Sequence, residues 1–91
     1  MSVKEKKLPE FLVNEKTEDS KSLILFNDDV NTFEYVIDCL VDVCEHDEMQ
    51  AENCAMIAHY KGKCAVKNGS FNELKPKFDE MTRRQLTVEI Q

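Results

Sequence analysis

The sequence predicts an α+β domain in which three helices cover one face of a three-stranded antiparallel sheet, in the order β-α-α-β-α-β. Three observations carry that expectation. Short apolar runs with strand character open and close residues 23–91. Stretches of helical period lie between them. Three capping patterns mark where the helices begin. Three short strands cannot hide both faces by themselves, so the helices are expected to pack against the sheet.

The first strand is Leu23-Ile24-Leu25-Phe26, an apolar run that ends abruptly in the turn-forming cluster Asn27-Asp28-Asp29. Residues 33–45 then follow helical period. Phe33, Val36, Ile37, Leu40 and Cys44 share one face, and Glu34, Asp38, Asp42 and Glu45 share the other. Asn31 with Glu34 resembles a capping box for this helix. Asp47 with Gln50 starts a second helix through Tyr60, whose inward stripe is Ala51, Cys54, Ala55 and Ala58. Small residues along that stripe permit close approach to a neighbour or leave a hollow. Gly62 stops the helix, because glycine accepts the left-handed conformation just past a helix end.

Cys64-Ala65-Val66 reads as a short strand and Asn68-Gly69 as a turn. Ser70 with Glu73 is the clearest capping box of the three. Pro76 lacks an N–H, so the pattern predicts one turn at 71–74 and a separate helix from Pro76 to Arg84. Phe71, Leu74, Phe78 and Met81 keep one apolar face throughout. Leu86, Val88 and Ile90 alternate with Thr87 and Glu89, which describes a half-buried closing strand.

With 91 residues there is room for one small domain, assigned to residues 23–91. Residues 1–22 read as a polar tail around Pro9, interrupted by the apolar patch Leu8, Phe11, Leu12, Val13. That patch is either a satellite of the core or a docking segment. The tail's five lysines balance its five acids, so residues 23–91 carry the whole net charge of −6. This disfavours nucleic acid or anionic membrane as partner and suits a cationic group on a ligand. No apolar run reaches the length of a membrane span or signal core, so a cytoplasmic location with reduced cysteines is expected. Cys39, Cys44, Cys54 and Cys64 form no C-x-x-C pair, so neither a zinc knuckle nor a redox motif is written in the chain. No cofactor is expected, and nothing requires more than a monomer.

Two constellations bear on chemistry. Asn27-Asp28-Asp29 is either a turn held by its own side-chain hydrogen bonds or a cation site, since two carboxylates and an amide oxygen can receive an ammonium's three donors. His59, near the end of the second helix, is either a helix-end histidine favoured by the dipole or an acceptor for a ligand. His46, at a helix junction, is expected to face solvent. A metal- or thiol-dependent enzyme built on Cys44, His46, Cys54 and His59 is the reading from another class.

The stretch LFNDDVNTFEYVIDCL, then AHYKGK, then a closing LTVEI, resembles the ClpS family of small adaptors, from about Ser22 to Ile90. Neither half of the strand–NDD–helix and His-Tyr-x-Gly-Lys combination is specific alone; together they are. The resemblance implies a non-enzymatic adaptor that delivers N-end-rule substrates to the ClpA unfoldase of the ClpAP protease. Asn27, Asp29 and His59 match the positions that surround the substrate's α-ammonium, while Asp28 sits in the motif with a side chain suited to the turn. It implies a side-chain pocket lined by Val36, Ala55, Ala58 and Leu86, gated by Phe33 where the family carries methionine. Substrates would begin with Leu, Phe, Tyr or Trp. Asn31-Thr32 stands where the family usually has Thr-Pro, and Asn31 would cap the helix and touch the ligand backbone. The third helix and the tail would face the unfoldase, with Glu73, Lys75 and Lys77 as contacts. A peptide-binding module of the same fold without the protease partner is the nearest alternative.

Overall fold

A computed structural model describes residues 20–91. The expectations for residues 1–19, including the apolar patch at Leu8 to Val13, lie outside the described residues. The elements are β1 (Lys21–Phe26), α1 (Phe33–Cys44), α2 (Glu48–Lys61), β2 (Lys63–Gly69), α3 (Phe71–Arg83) and β3 (Val88–Ile90). The predicted order is the observed one. The sheet runs β2-β1-β3, with both pairings antiparallel.

Strand β1 is central and so carries the densest apolar run. Leu23 and Leu25 point into the core, where Leu40, Cys39, Val43 and Cys44 of α1 meet them. Helix α2 contributes Ala51, Ala55 and Ala58; α3 contributes Leu74 and Met81. The strand starts at Lys21, two residues before the predicted boundary, because Lys21 and Ser22 pair with Gly69 and Asn68. Asn68-Gly69 is therefore the end of β2 and not a turn. Phe71 is 49% exposed and does not join the inward face of α3.

The caps of α2 and α3 are those the sequence announces. The Asp47 carboxylate accepts the Gln50 amide at 2.8 Å, and Gly62 closes α2 with φ 95°. Ser70 and Glu73 exchange both bonds of a capping box. The cap of α1 differs: Thr32, one residue beyond Asn31, accepts the Tyr35 amide.

Two further differences have physical causes. β2 skips a residue between the partners of Leu23 and Ile24, which makes Val66 a bulge. Its carbonyl, freed from the ladder, meets His46 Nε2 at 2.6 Å. His46 is thereby drawn inside (4% exposed) instead of facing solvent. Helix α3 runs unbroken through Pro76. The capping box fixes its first turn, and Leu74, Phe78 and Met81 pack inward on both sides of the proline. Losing the bond to the Asn72 carbonyl does not outweigh that packing.

At its far end α3 is held by a charge cluster. Arg83 and Arg84 both donate to Glu80, and Arg84 also reaches Asp42 of α1 at 3.4 Å. The guanidinium hydrogen bonds, Arg83 first and Arg84 second, hold the Glu80 carboxyl down to about 2. Among the described residues, no helix is long and apolar enough to cross a membrane.

Pro76 is exposed, so its ring serves no packing role that alanine would forfeit. Pro76→Ala is expected to raise stability by about 1–3 kcal/mol, read as a higher urea midpoint at unchanged slope.

Candidate functional site

Three segments converge beside the end of β1. The Asn27 amide donates to the Gly62 carbonyl at 2.9 Å, which brings the β1–α1 loop against the last turn of α2. The Asp28 carboxylate then folds that loop. One oxygen accepts the Val30 amide at 2.9 Å and the Asn31 amide at 2.8 Å; the other accepts Asn31 Nδ2 at 3.0 Å. This turn consumes Asn31, whose side chain also donates to the Gln85 carbonyl at 3.0 Å. That is why Thr32 and not Asn31 caps α1.

The segment after α3 braces the loop from behind. The Phe26 amide donates to the Thr87 carbonyl at 2.9 Å and the Tyr35 hydroxyl to the Arg84 carbonyl at 2.9 Å.

These supports leave a cavity of about 570 Å³. The loop contributes Asn27, Asp28, Asp29 and Asn31 to its wall; α1 contributes Phe33 and Val36. From α2 come Ala55, Met56, Ala58, His59 and Tyr60, and from β1 Leu25 and Phe26. Ala55 and Ala58 are buried, so the hollow between α1 and α2 exists because their side chains stop at one carbon. Asn27, Asp29 and His59 are exposed on the same wall. Among the described residues their side chains have no hydrogen-bond partner, although the His59 ring meets Tyr60 edge-on at 4.8 Å.

Two carboxylates thus do different work. Burial pushes the Asp28 carboxyl upward, but the hydrogen bonds from Asn31 and Val30 outweigh it and leave it below its ordinary 3.8. Asp29 is exposed on the cavity wall, and among the described residues its carboxylate has no hydrogen-bond partner.

The structure brings nine of the sequence-predicted residues to one wall and separates the rest. Leu86 is not in the cavity. It is the third residue past α3, its amide donates to the Met81 carbonyl at 3.0 Å, and Gln85 before it takes φ 70°. This is a helix-ending motif whose apolar contact pairs Leu86 (4% exposed) with Met81 (0%) in the core. Glu73, Lys75 and Lys77 lie on α3, away from the cavity. Each has an internal partner: Glu73 in the capping box, Lys75 with Asp79 at 2.6 Å, Lys77 with the Val43 carbonyl at 3.2 Å. Sequence reading missed Met56, Tyr60, Leu25 and Phe26. Outward apolar residues beside His59 were the available signal for the first two.

The thiols of Cys44 and Cys54 are unsuited to nucleophilic work. Burial first, and the Cys64 thiol second, push Cys54 up to about 12; burial pushes Cys44 up to about 11, against the pull of Lys77 and Lys67. Among the described residues, no three of the His, Cys, Asp and Glu side chains converge as metal ligands.

This fold and site define a small binding domain with a pocket at a strand end. The sequence profile of the family described as "ATP-dependent Clp protease adaptor protein ClpS" matches residues 16–89. The chain belongs to the ClpS family of protease adaptors, which are not enzymes. Eighteen chains of solved structures match it. Among them is Agrobacterium tumefaciens ClpS2, solved bound to L-phenylalaninamide: 22% identity, TM-score 0.69, covering 80% of this chain and 95% of that one. No curated protein sequence matches it.

Asp28→Asn keeps an oxygen for the two amides but turns an NH2 toward the Asn31 NH2. It should cost about 1–2 kcal/mol, measured by urea unfolding. The sign with pH follows from the lowered Asp28 value. Its stabilisation is complete above pH 3.8 and is lost as pH falls through the depressed folded value. The variant should lose that acid-sensitive component.

Proposed function

We infer that this adaptor binds the free N-terminus of a protein, placing the α-ammonium among Asn27, Asp29 and His59 and the first side chain in the hollow above Ala55 and Ala58. The observation that carries this reading is one cavity with two chemistries. Acceptors without partners among the described residues line the rim, and an apolar floor lies behind them.

An ammonium has three donors and no acceptor, so its burial requires acceptors on each N–H. Asn27 Oδ1, a carboxylate oxygen of Asp29 and a neutral His59 nitrogen are the three offered. The net charge of −6 favours such a cation over an anion. Burying a Leu or Phe side chain adds about 1.5–3 kcal/mol. L-Phenylalaninamide, the ligand of the Agrobacterium protein, carries the same pair of groups, an α-ammonium beside a benzyl side chain. Substrates beginning with Leu, Phe, Tyr or Trp fit this reading. Delivery to a ClpA-type unfoldase in the cytoplasm would run through α3, where Glu73, Lys75 and Lys77 are the contacts we assign.

Fluorescence anisotropy with peptides that begin in Phe, Leu or Ala tests the site. Phe and Leu peptides should bind with micromolar or tighter affinity, and Ala or N-acetyl-Phe peptides at least tenfold more weakly. Equal binding of the acetylated peptide would sink the ammonium site. Asp29→Asn should weaken binding by about ten- to hundredfold, the equivalent of one charge-assisted hydrogen bond.

His59→Ala removes one of the three acceptors and should weaken binding of the Phe peptide by about tenfold, the equivalent of one hydrogen bond to a charged group. An unchanged affinity in that variant would remove His59 from the acceptor set.

A further inference from the structure

Helix α2 is inverted in size. Its core side is made of alanines, Ala51, Ala55 and Ala58, while its large apolar side chains face water. Met49 is 72% exposed, Met56 44%, Ile57 44% and Tyr60 76%. At 3.6 residues per turn, Met49, Met56 and Tyr60 fall within an arc of roughly 40°, opposite Ala58. Such a stripe contributes nothing to this domain's own core, and exposed apolar surface of this kind marks a contact. Two of its members settle what the contact is. Met56 and Tyr60 belong to the wall of the same cavity as Asp29 and His59, whereas Ile57, on the far flank of the helix, does not.

We propose that Met56 and Tyr60 form a second subsite, which takes apolar side chains from the second and fourth residues of the substrate. This rests on the N-terminal reading above and extends it from a single residue to a short sequence preference. The dimensions agree. Met56 and Tyr60 are four residues apart, a rise of about 6 Å along the helix. Side chains that share one face of an extended peptide are two residues, or about 6.6 Å, apart. A chain whose first side chain fills the hollow above Ala55 leaves over this stripe. The sulfur of Met56 and the ring of Tyr60 adapt to side chains of varied shape, so the subsite selects for apolarity and not for one residue.

The test compares two dye-labelled peptides that share a Phe terminus and differ only in carrying serine (Ser-Ser) or leucine (Leu-Leu) at both positions two and four. The Leu-Leu peptide should bind about tenfold more tightly, the gain of partly burying two such side chains. In a Met56→Ser, Tyr60→Ser double variant the ratio of the two affinities should fall to within twofold, whatever happens to each alone. Both side chains are exposed, and an unchanged thermal midpoint will confirm the fold. A ratio near one in the unsubstituted protein, or a tenfold ratio that survives in the variant, overturns the subsite. If even the Ser-Ser peptide fails to bind, the N-terminal reading falls and this one with it. A second copy of the chain on the stripe would appear in sedimentation velocity as a mass that rises with concentration and returns to monomer in the variant. That result would overturn the subsite too.

Discussion

The hydrogen bond from the Asn27 amide to the Gly62 carbonyl joins the two parts of the chain from which the site is made. It continues the β1–β2 pairing, in which Phe26 faces Lys63, one step past the strands, and so sets the acidic loop beside the end of the helix that carries the histidine. The bond requires that α2 stop one residue before β2 begins. It stops there because Gly62 takes φ 95°, a left-handed conformation that costs glycine little. Everything else at the site arranges itself around that junction. Asp28 folds the loop, Asn31 ties it to the Gln85 carbonyl, and Thr32 inherits the start of α1.

Division of labour between neighbouring acids follows from the same geometry. A carboxylate that accepts two backbone amides is no longer available to a ligand, and Asp28 accepts both. Asp29, next in the chain, is exposed on the cavity wall. The scaffold behind them is assembled from small parts. Alanines on α2, instead of leucines, make room for a hollow, while Leu40, Leu74 and Met81 supply the volume of the core elsewhere.

Where an element is governed by local chemistry, it was legible in the sequence. Asp47 and the Ser70–Glu73 box start their helices where expected, and Gly62 ends one. The NDD segment and His59 were legible as partners through their resemblance to the ClpS family. Legibility ended where a side chain answers to something distant. Asn31 left the cap because Asp28 and Gln85 compete for it. His46 went inside because a bulge in β2, which no local pattern announces, freed the Val66 carbonyl. Leu86 looked like a strand residue by alternation, yet it closes α3 against Met81, with glutamine in the place where glycine would have signalled that ending. Pro76 misled by being read alone, when the packing on either side of it decides the helix.

The bulge at Val66 has a consequence beyond the burial of His46. β2 is an edge strand, and an edge offers a row of unpaired donors and acceptors to any extended chain that meets it. Here the row is out of step at Val66 and flanked by Lys63 and Lys67. An unfolding polypeptide that settled there would find no continuous ladder and two cations in its way. A member of a protease-adaptor family is thereby kept from polymerising with other chains along its own sheet, which leaves the cavity at the end of β1 as the place for the contact proposed above.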